Sequence, residues 1–311
     1  MCAAPFDAAW AQALPEGADV TLPPGTYAGP WLLAKRVRLR GSGAMLLPGD
    51  GGATLEILAE ALIDGLAVVA ADGGVGVRVG SGAEVELRGV SVSGPAQTLV
   101  YVKENGALTL SGGELAGGDY GLLTERARRL RVQNVTVRQQ KRTGLAIVNG
   151  PGELIDNALV GPFGEAAILL LHGSWSLSRN LVSSAGSMGI KILNGAATLV
   201  GDRIAGGRSD PRGLEGDGLY LYSAQVTATG LRVADCQGPA ISLRGSTVAL
   251  EGVVLEDLTE GAVYVSDSTL RAKGCIIRRS PGGLLLEPGA KTDATGFTFE
   301  HVTNPVVRLD P

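Results

Sequence analysis

Gly189-Ile-Lys-Ile-Leu193, Gly218-Leu-Tyr-Leu-Tyr222, Ala240-Ile-Ser-Leu-Arg244 and Ala262-Val-Tyr-Val-Ser266 share one pattern. A small residue opens each stretch, and apolar residues then fall at alternate positions. A period of two buries one face of an extended strand and leaves the other outside. Upstream, Gly76-Val-Arg-Val79, Leu99-Val-Tyr-Val102, Gly121-Leu-Leu-Thr124, Gly144-Leu-Ala-Ile147 and Ala167-Ile-Leu-Leu170 repeat the pattern, Leu99 alone not being small, and Gly283-Leu-Leu-Leu286 repeats it downstream. The recurrence comes every 21–23 residues, with one longer interval.

Each stretch is followed by a second short run, such as Val85-Glu-Leu87 or Val248-Ala-Leu250, and by a third, such as Val90-Ser-Val92 or Val253-Val-Leu255. Between the second and third runs stand Gly65, Gly89, Gly113, Asn134, Asn157, Asn180, Asp202, Gly230, Gly252, Gly274 and Gly296. Gly, Asn and Asp tolerate a left-handed backbone, so each slot is expected to be a sharp corner, with asparagine amides bonding along the stack. Asn134 is expected to belong to that amide ladder. The predicted fold is all-β: a right-handed single-stranded parallel β-helix of about ten coils, with three short strands in each. It fills residues 1–311 as a single domain, with an N-terminal cap helix over 5–14 and a loop insertion over 205–217. Phe6, Trp10 and Leu14 share one face of that helix and cover the first coil, since end coils cannot bury themselves.

Composition narrows the partners. With 47 glycines and only 4% aromatics, the core must be Val, Leu, Ile and Ala. A formal charge of −4 gives no basic footprint for nucleic acid. No apolar run is long enough to span a membrane. Cys275 falls on an inward position and reads as a small buried hydrophobe. Met1-Cys2-Ala-Ala-Pro5 reads as a lipoprotein start whose signal has been replaced, with Cys2 as the lipid-bearing residue. The expected location is therefore outside the cytoplasm, in the periplasm or at the cell surface; a cytoplasmic start is the alternative.

Asp19-Val-Thr-Leu-Pro-Pro-Gly-Thr-Tyr27, followed by Val37-Arg-Leu-Arg-Gly41, resembles the opening of pectate-lyase-like β-helix proteins. Within them it is most like the carbohydrate-binding and sugar-hydrolase β-helix repeats. The resemblance implies a site on an outer strand face. It implies no single reaction, because lyases, hydrolases, epimerases and non-catalytic proteins share this fold.

The outward positions hold two zones. One is mixed: Lys191, Tyr220, Tyr222, Arg244 and Tyr264, with Asn149, His172 and Asn194 in the turns of three successive coils. Tyrosine faces stack on sugar rings, and cations pair with uronate carboxylates. Tyr222, Tyr264, Asn149, Asn194 and Asp217 are the expected substrate contacts. If the protein is a lyase or epimerase, Lys191 is the base, Arg244 neutralises the carboxylate, and Tyr220 or His172 donates the proton. The hydrolase motifs Asn-Thr-Asp and Gly-His-Gly are absent. No metal or other cofactor is required, with calcium at Asp210, Glu215 and Asp217 as the alternative. The other zone is apolar, with Leu123, Val148, Leu169, Leu171 and Leu193 pointing outward, and suits self-association into a homo-oligomer. Three functions follow: non-catalytic polysaccharide binding, which is preferred, a uronate lyase or epimerase, and an assembly protein.

Overall fold

Alternation along each first strand stacks the inward residues into columns. The computed structural model describes residues 6–50, 52–208 and 216–309. The chain is an all-β parallel β-solenoid of about 13 turns with almost no helix. It divides into two compact units, residues 1–153 and 154–311. In the first, Leu55, Val77, Val100, Leu122 and Leu145 face one another on successive parallel strands. In the second, the column runs Ile168, Ile190, Leu219, Ile241, Val263 and Leu284. All of these side chains are fully buried. Each contributes about 1.5–3 kcal/mol by leaving water.

Three coils lie beyond the ten read from the repeat. Their first strands are Trp31–Leu33, Ala53–Ile57 and the end of Phe297–Arg308, where Val306 continues the column above Leu284. None of the three opens on Gly or Ala: Pro30, Thr54 and Pro305 hold that position, and Trp31, in register with Leu55, is the first inward residue of its coil. The cap helix is shorter than 5–14, running Ala8–Ala13, with the Asp7 carboxylate accepting from the Trp10 amide at 2.8 Å. Phe6 packs edge-on against Trp10 at 4.7 Å, and Trp10 lies 5.4 Å from Trp31. Trp31 is thereby fully buried, and Leu14 is buried too. Pro5 and Cys2 lie outside the described residues, so the lipid-anchor expectation falls there as well.

The corners follow the expected residue types with a shift in place. Gly65, Gly89, Gly113, Asn134, Gly230, Gly252 and Gly274 all have positive φ. On three coils of the second unit, the left-handed residue is one earlier: Asp156, Arg179 and Gly201. Asn157, Asn180 and Asp202 are then free to turn inward, and all three are buried. The Asn180 side-chain oxygen accepts from the Asn157 side-chain amide at 2.9 Å, and Asp202 Oδ1 accepts from the Asn180 side-chain amide at 2.8 Å. Burial raises the Asp202 carboxyl above its ordinary range, against the amides that donate to it. Asn134 is exposed and does not join the ladder, and Gly296 closes a short 3-10 turn instead. Ala146 and Ser242 share the outward parity of Leu123 and Tyr264 yet are buried.

Cys236 and Cys275 are free and buried, and burial pushes the Cys236 thiol up to about 11. Among the described residues, no helix is long and apolar enough to cross a membrane.

Candidate functional site

Parallel pairing fixes which outward side chains meet. In the second unit, Lys191 faces Tyr220, Leu193 faces Tyr222, Tyr222 faces Arg244, and Ser242 faces Tyr264. Neighbouring coils are about 4.8 Å apart, so facing side chains touch. The Lys191 ammonium lies 5.9 Å from the Tyr220 ring centre, and the Arg244 guanidinium lies 5.3 Å from that of Tyr264. Both are cation–aromatic contacts, worth about 0.5–2 kcal/mol depending on exposure. Tyr222, in register with Leu193 and Arg244, is 47% exposed.

The two cations differ in their company. The Lys191 side chain is only 16% exposed and sits 3.8 Å from the Glu165 carboxylate. Arg244 has no carboxylate in ion-pair range among the described residues. Most arginines of this protein do, as Arg126 with Glu104 at 3.0 Å and Arg179 with Asp156 at 2.6 Å show. Beyond Tyr264, Glu287 on the next coil accepts from the tyrosine hydroxyl. Burial raises the Tyr264 phenol, and its bond to Glu287 raises it further. The Glu287 carboxyl is held below its ordinary range by Ser266 and Tyr264, with the Arg244 charge assisting.

The four residues assigned to catalysis are not brought to one point. Lys191 and Tyr220 touch, but Arg244 lies two coils from Lys191 and turns the other way, over Tyr264. His172 is exposed at a corner with φ 51. Asn149 and Asn194 occupy equivalent corners, each with φ 52, and Ser223, Gly245 and Asp267 fill later ones. The left-handed backbone therefore accounts for Asn149, His172 and Asn194 without a ligand. His172→Gly is expected to stabilise the protein by about 1 kcal/mol, the relief of a non-glycine left-handed residue. Urea unfolding checks the gain. A loss of saccharide binding in that variant would return His172 to the site.

Asp217 does not present its carboxylate outside, being 6% exposed and hydrogen-bonded through its carbonyl to the Gly189 amide at 3.0 Å. Asp210 and Glu215 lie outside the described residues. Among those described, no three His, Cys, Asp or Glu side chains converge as for a metal ion. The apolar zone is less open than its sequence suggests: Leu169, Leu171 and Leu193 are half-buried in the second unit, as are Leu123 and Val148 in the first. The most exposed aliphatic side chains are elsewhere, at Met45, Leu58, Val160, Leu181, Val200 and Val306. A concavity of about 510 Å³ lies on the second-strand face of the second unit, lined by Ser174, Thr198, Gln225, Thr227, Thr247 and Thr269, and brings no acid–base pair together.

A family model described as a right-handed β-helix region matches residues 59–204 and again 155–301. No curated protein matches the sequence significantly. Solved structures similar in fold include three of note. The periplasmic alginate epimerase AlgG is 14% identical, with 95% of this chain and 84% of that one covered and a TM-score of 0.60. A PL6 alginate lyase in complex with a trisaccharide is 13% identical, with 96% and 82% covered and a TM-score of 0.56. The Dettilon tailspike protein is 10% identical, with 89% and 61% covered and a TM-score of 0.54. At these identities the likeness is one of fold.

Proposed function

We propose, for a chain that belongs to the right-handed β-helix family, that the second unit holds an acidic polysaccharide against the outer face of its first strands without cleaving it. One observation carries this reading: Arg244 lies over Tyr264 with no carboxylate of its own, beside the exposed Tyr222 and the Lys191–Tyr220 pair. A guanidinium without a direct ion pair, next to aromatic faces, matches a sugar ring that bears a carboxylate. The separation of Arg244 and His172 from Lys191 supports binding over turnover. The names of the similar folds, an alginate epimerase and an alginate lyase, agree with a uronate polymer. Such polymers are met outside the cytoplasm, so export is part of the proposal.

Isothermal titration with oligouronates tests it. Tyr220→Ala combined with Tyr222→Ala is expected to weaken affinity about thirtyfold, the equivalent of about 2 kcal/mol for two aromatic contacts. Unchanged affinity in a folded variant would sink the reading.

A uronate lyase or epimerase is the second reading, favoured by the direct Lys191–Tyr220 contact beside Glu165. In it, Lys191 takes the proton next to the carboxylate and Tyr220 supplies one. β-Elimination creates a conjugated double bond that absorbs in the ultraviolet. A rising trace abolished by Lys191→Ala would establish the lyase, and inversion seen by NMR would establish the epimerase. Neither signal is expected if the site only binds.

A further inference from the structure

Each unit contains a tyrosine whose hydroxyl donates to a glutamate on the next coil, with an arginine on the coil before. In the second unit these are Tyr264, Glu287 and Arg244. In the first unit they are Tyr101, Glu125 and Arg78: the Tyr101 hydroxyl donates to Glu125 at 2.8 Å, and Arg78 faces Tyr101 in the strand register. The spacing is one coil plus two residues from tyrosine to glutamate in both, which keeps the pair on one face.

The first-unit cluster is short of an acceptor. Arg78 and Lys103 share one carboxylate, that of Glu56, at 3.5 and 3.8 Å. Neither contact is a hydrogen bond at that range. Elsewhere in the same unit, arginines donate to carboxylates directly, at 3.0 Å for Arg126–Glu104 and 2.6 Å for Arg131–Glu153. The Arg78 Nε is buried and has no hydrogen-bond partner among the described residues. A buried donor left unmet costs about 1–3 kcal/mol, so a surface ion-pair ladder is a poor account of this arrangement. A methyl group added at Gly52 would lie 3.2 Å from Arg78 Nη2, so the glycine leaves room beside the guanidinium.

We infer that Arg78, Lys103, Tyr101 and Glu125 form a second binding site, in the first unit, for a carboxylated sugar. Arg78 and Lys103 take the carboxylate. Glu125 accepts from a sugar hydroxyl, and the Tyr101 ring gives the apolar surface. The inference rests on the acidic-polysaccharide reading for the class of ligand, but on different residues.

The test is titration of the full chain with a uronate tetrasaccharide, short enough to fill one site, and with its carboxyl-reduced counterpart. Two equivalents are expected to bind the unaltered protein. Arg78→Gln with Lys103→Gln leaves one, Tyr220→Ala with Tyr222→Ala leaves the other at its original affinity and weakens its own site about thirtyfold, and the four together leave no site of the original affinity. Glu125→Gln keeps the shape and removes a negative charge, so it is expected to tighten the first-unit site several-fold. The reduced sugar is expected not to bind there. One equivalent in the unaltered protein, untouched by Arg78→Gln with Lys103→Gln, would overturn this inference and leave the second-unit site standing. One equivalent lost only in that variant would support it and sink the second-unit site instead. No binding by the unaltered protein would overturn both.

Discussion

Gly218→Ala is expected to lower stability by about 3 kcal/mol, the upper end for overpacking a close-packed interior. A methyl group at this position would lie 2.2 Å from Val233 Cγ1, 2.7 Å from the Ala240 carbonyl oxygen and 3.2 Å from the Cys236 sulfur. Val233 is β-branched and stiff, so it cannot swing aside cheaply. The carbonyl cannot move freely either, because it accepts from the Leu219 amide at 2.9 Å and holds two coils in register. Tyr220 is two residues on, so a displaced strand would also disturb the proposed binding face. Urea unfolding gives the loss directly. Val233→Ala in the Gly218→Ala background is expected to recover about half of it, since the methyl clash goes and the carbonyl clash stays. A double-mutant cycle separates this coupling from the cavity that Val233→Ala makes alone. An unchanged midpoint in Gly218→Ala, or purely additive effects, would show that the strand accommodates the methyl.

The same crowding recurs at Gly189, where a methyl would lie 2.3 Å from Ile204 Cγ2, and at Gly76, 2.5 Å from Val92 Cγ1. The small opening residue was therefore legible as a repeat, but its cause was not. That cause is a third-strand side chain on the far side of the coil, which only the closed turn brings near. The pattern also fades where the stack begins, with Pro30 at the opening position and Trp31 filling the first inward one beneath the aromatic helix face. Strand parity gave the inward columns and placed Lys191, Tyr220 and Tyr264 outside. It could not give the direction in which a long side chain leans along the ladder. Arg244 turns to Tyr264 instead of Lys191 for that reason, and the catalytic assignment loses its convergence. The Tyr101–Glu125 and Tyr264–Glu287 pairs share one spacing, one coil plus two residues, which a strand-by-strand parity pattern does not single out. Asp217 needed the path of the chain out of the insertion, which a repeat pattern does not carry.

Glu256 illustrates the limit of parity in the other direction. Leu255 points in, so Glu256 points out, and an outward glutamate is ordinarily wet. Here it is 4% exposed, roofed by Arg232, Arg278 and Arg279 from the coils on either side. Arg278 and Arg279 donate to its Oε2 at 2.8 Å each, and Arg232 donates to Oε1. Arg279 also grips Asp257 through two bonds, at 2.6 and 2.8 Å. Burial pushes the Glu256 carboxyl up, but donation from Arg278, Arg232 and Arg279 outweighs it and holds the group below its ordinary range. Glu256→Gln is expected to cost about 2–3 kcal/mol at neutral pH. That is below the usual toll for breaking a buried pair, because the three guanidinium groups are a third to half exposed and partly screened. The pH dependence has a definite sign. A carboxyl whose folded pKa is depressed contributes stability above the unfolded value, about 4.3 for Glu, and loses it as pH falls through the folded value. The gap between the unaltered protein and Glu256→Gln should therefore be full at pH 7 and close as the pH is lowered below about 4. Urea midpoints at several pH values measure it, with Asp257→Asn as a control that leaves Glu256 roofed. A deficit equal at neutral and acid pH would mean that the loss comes from packing of the amide and not from the charge.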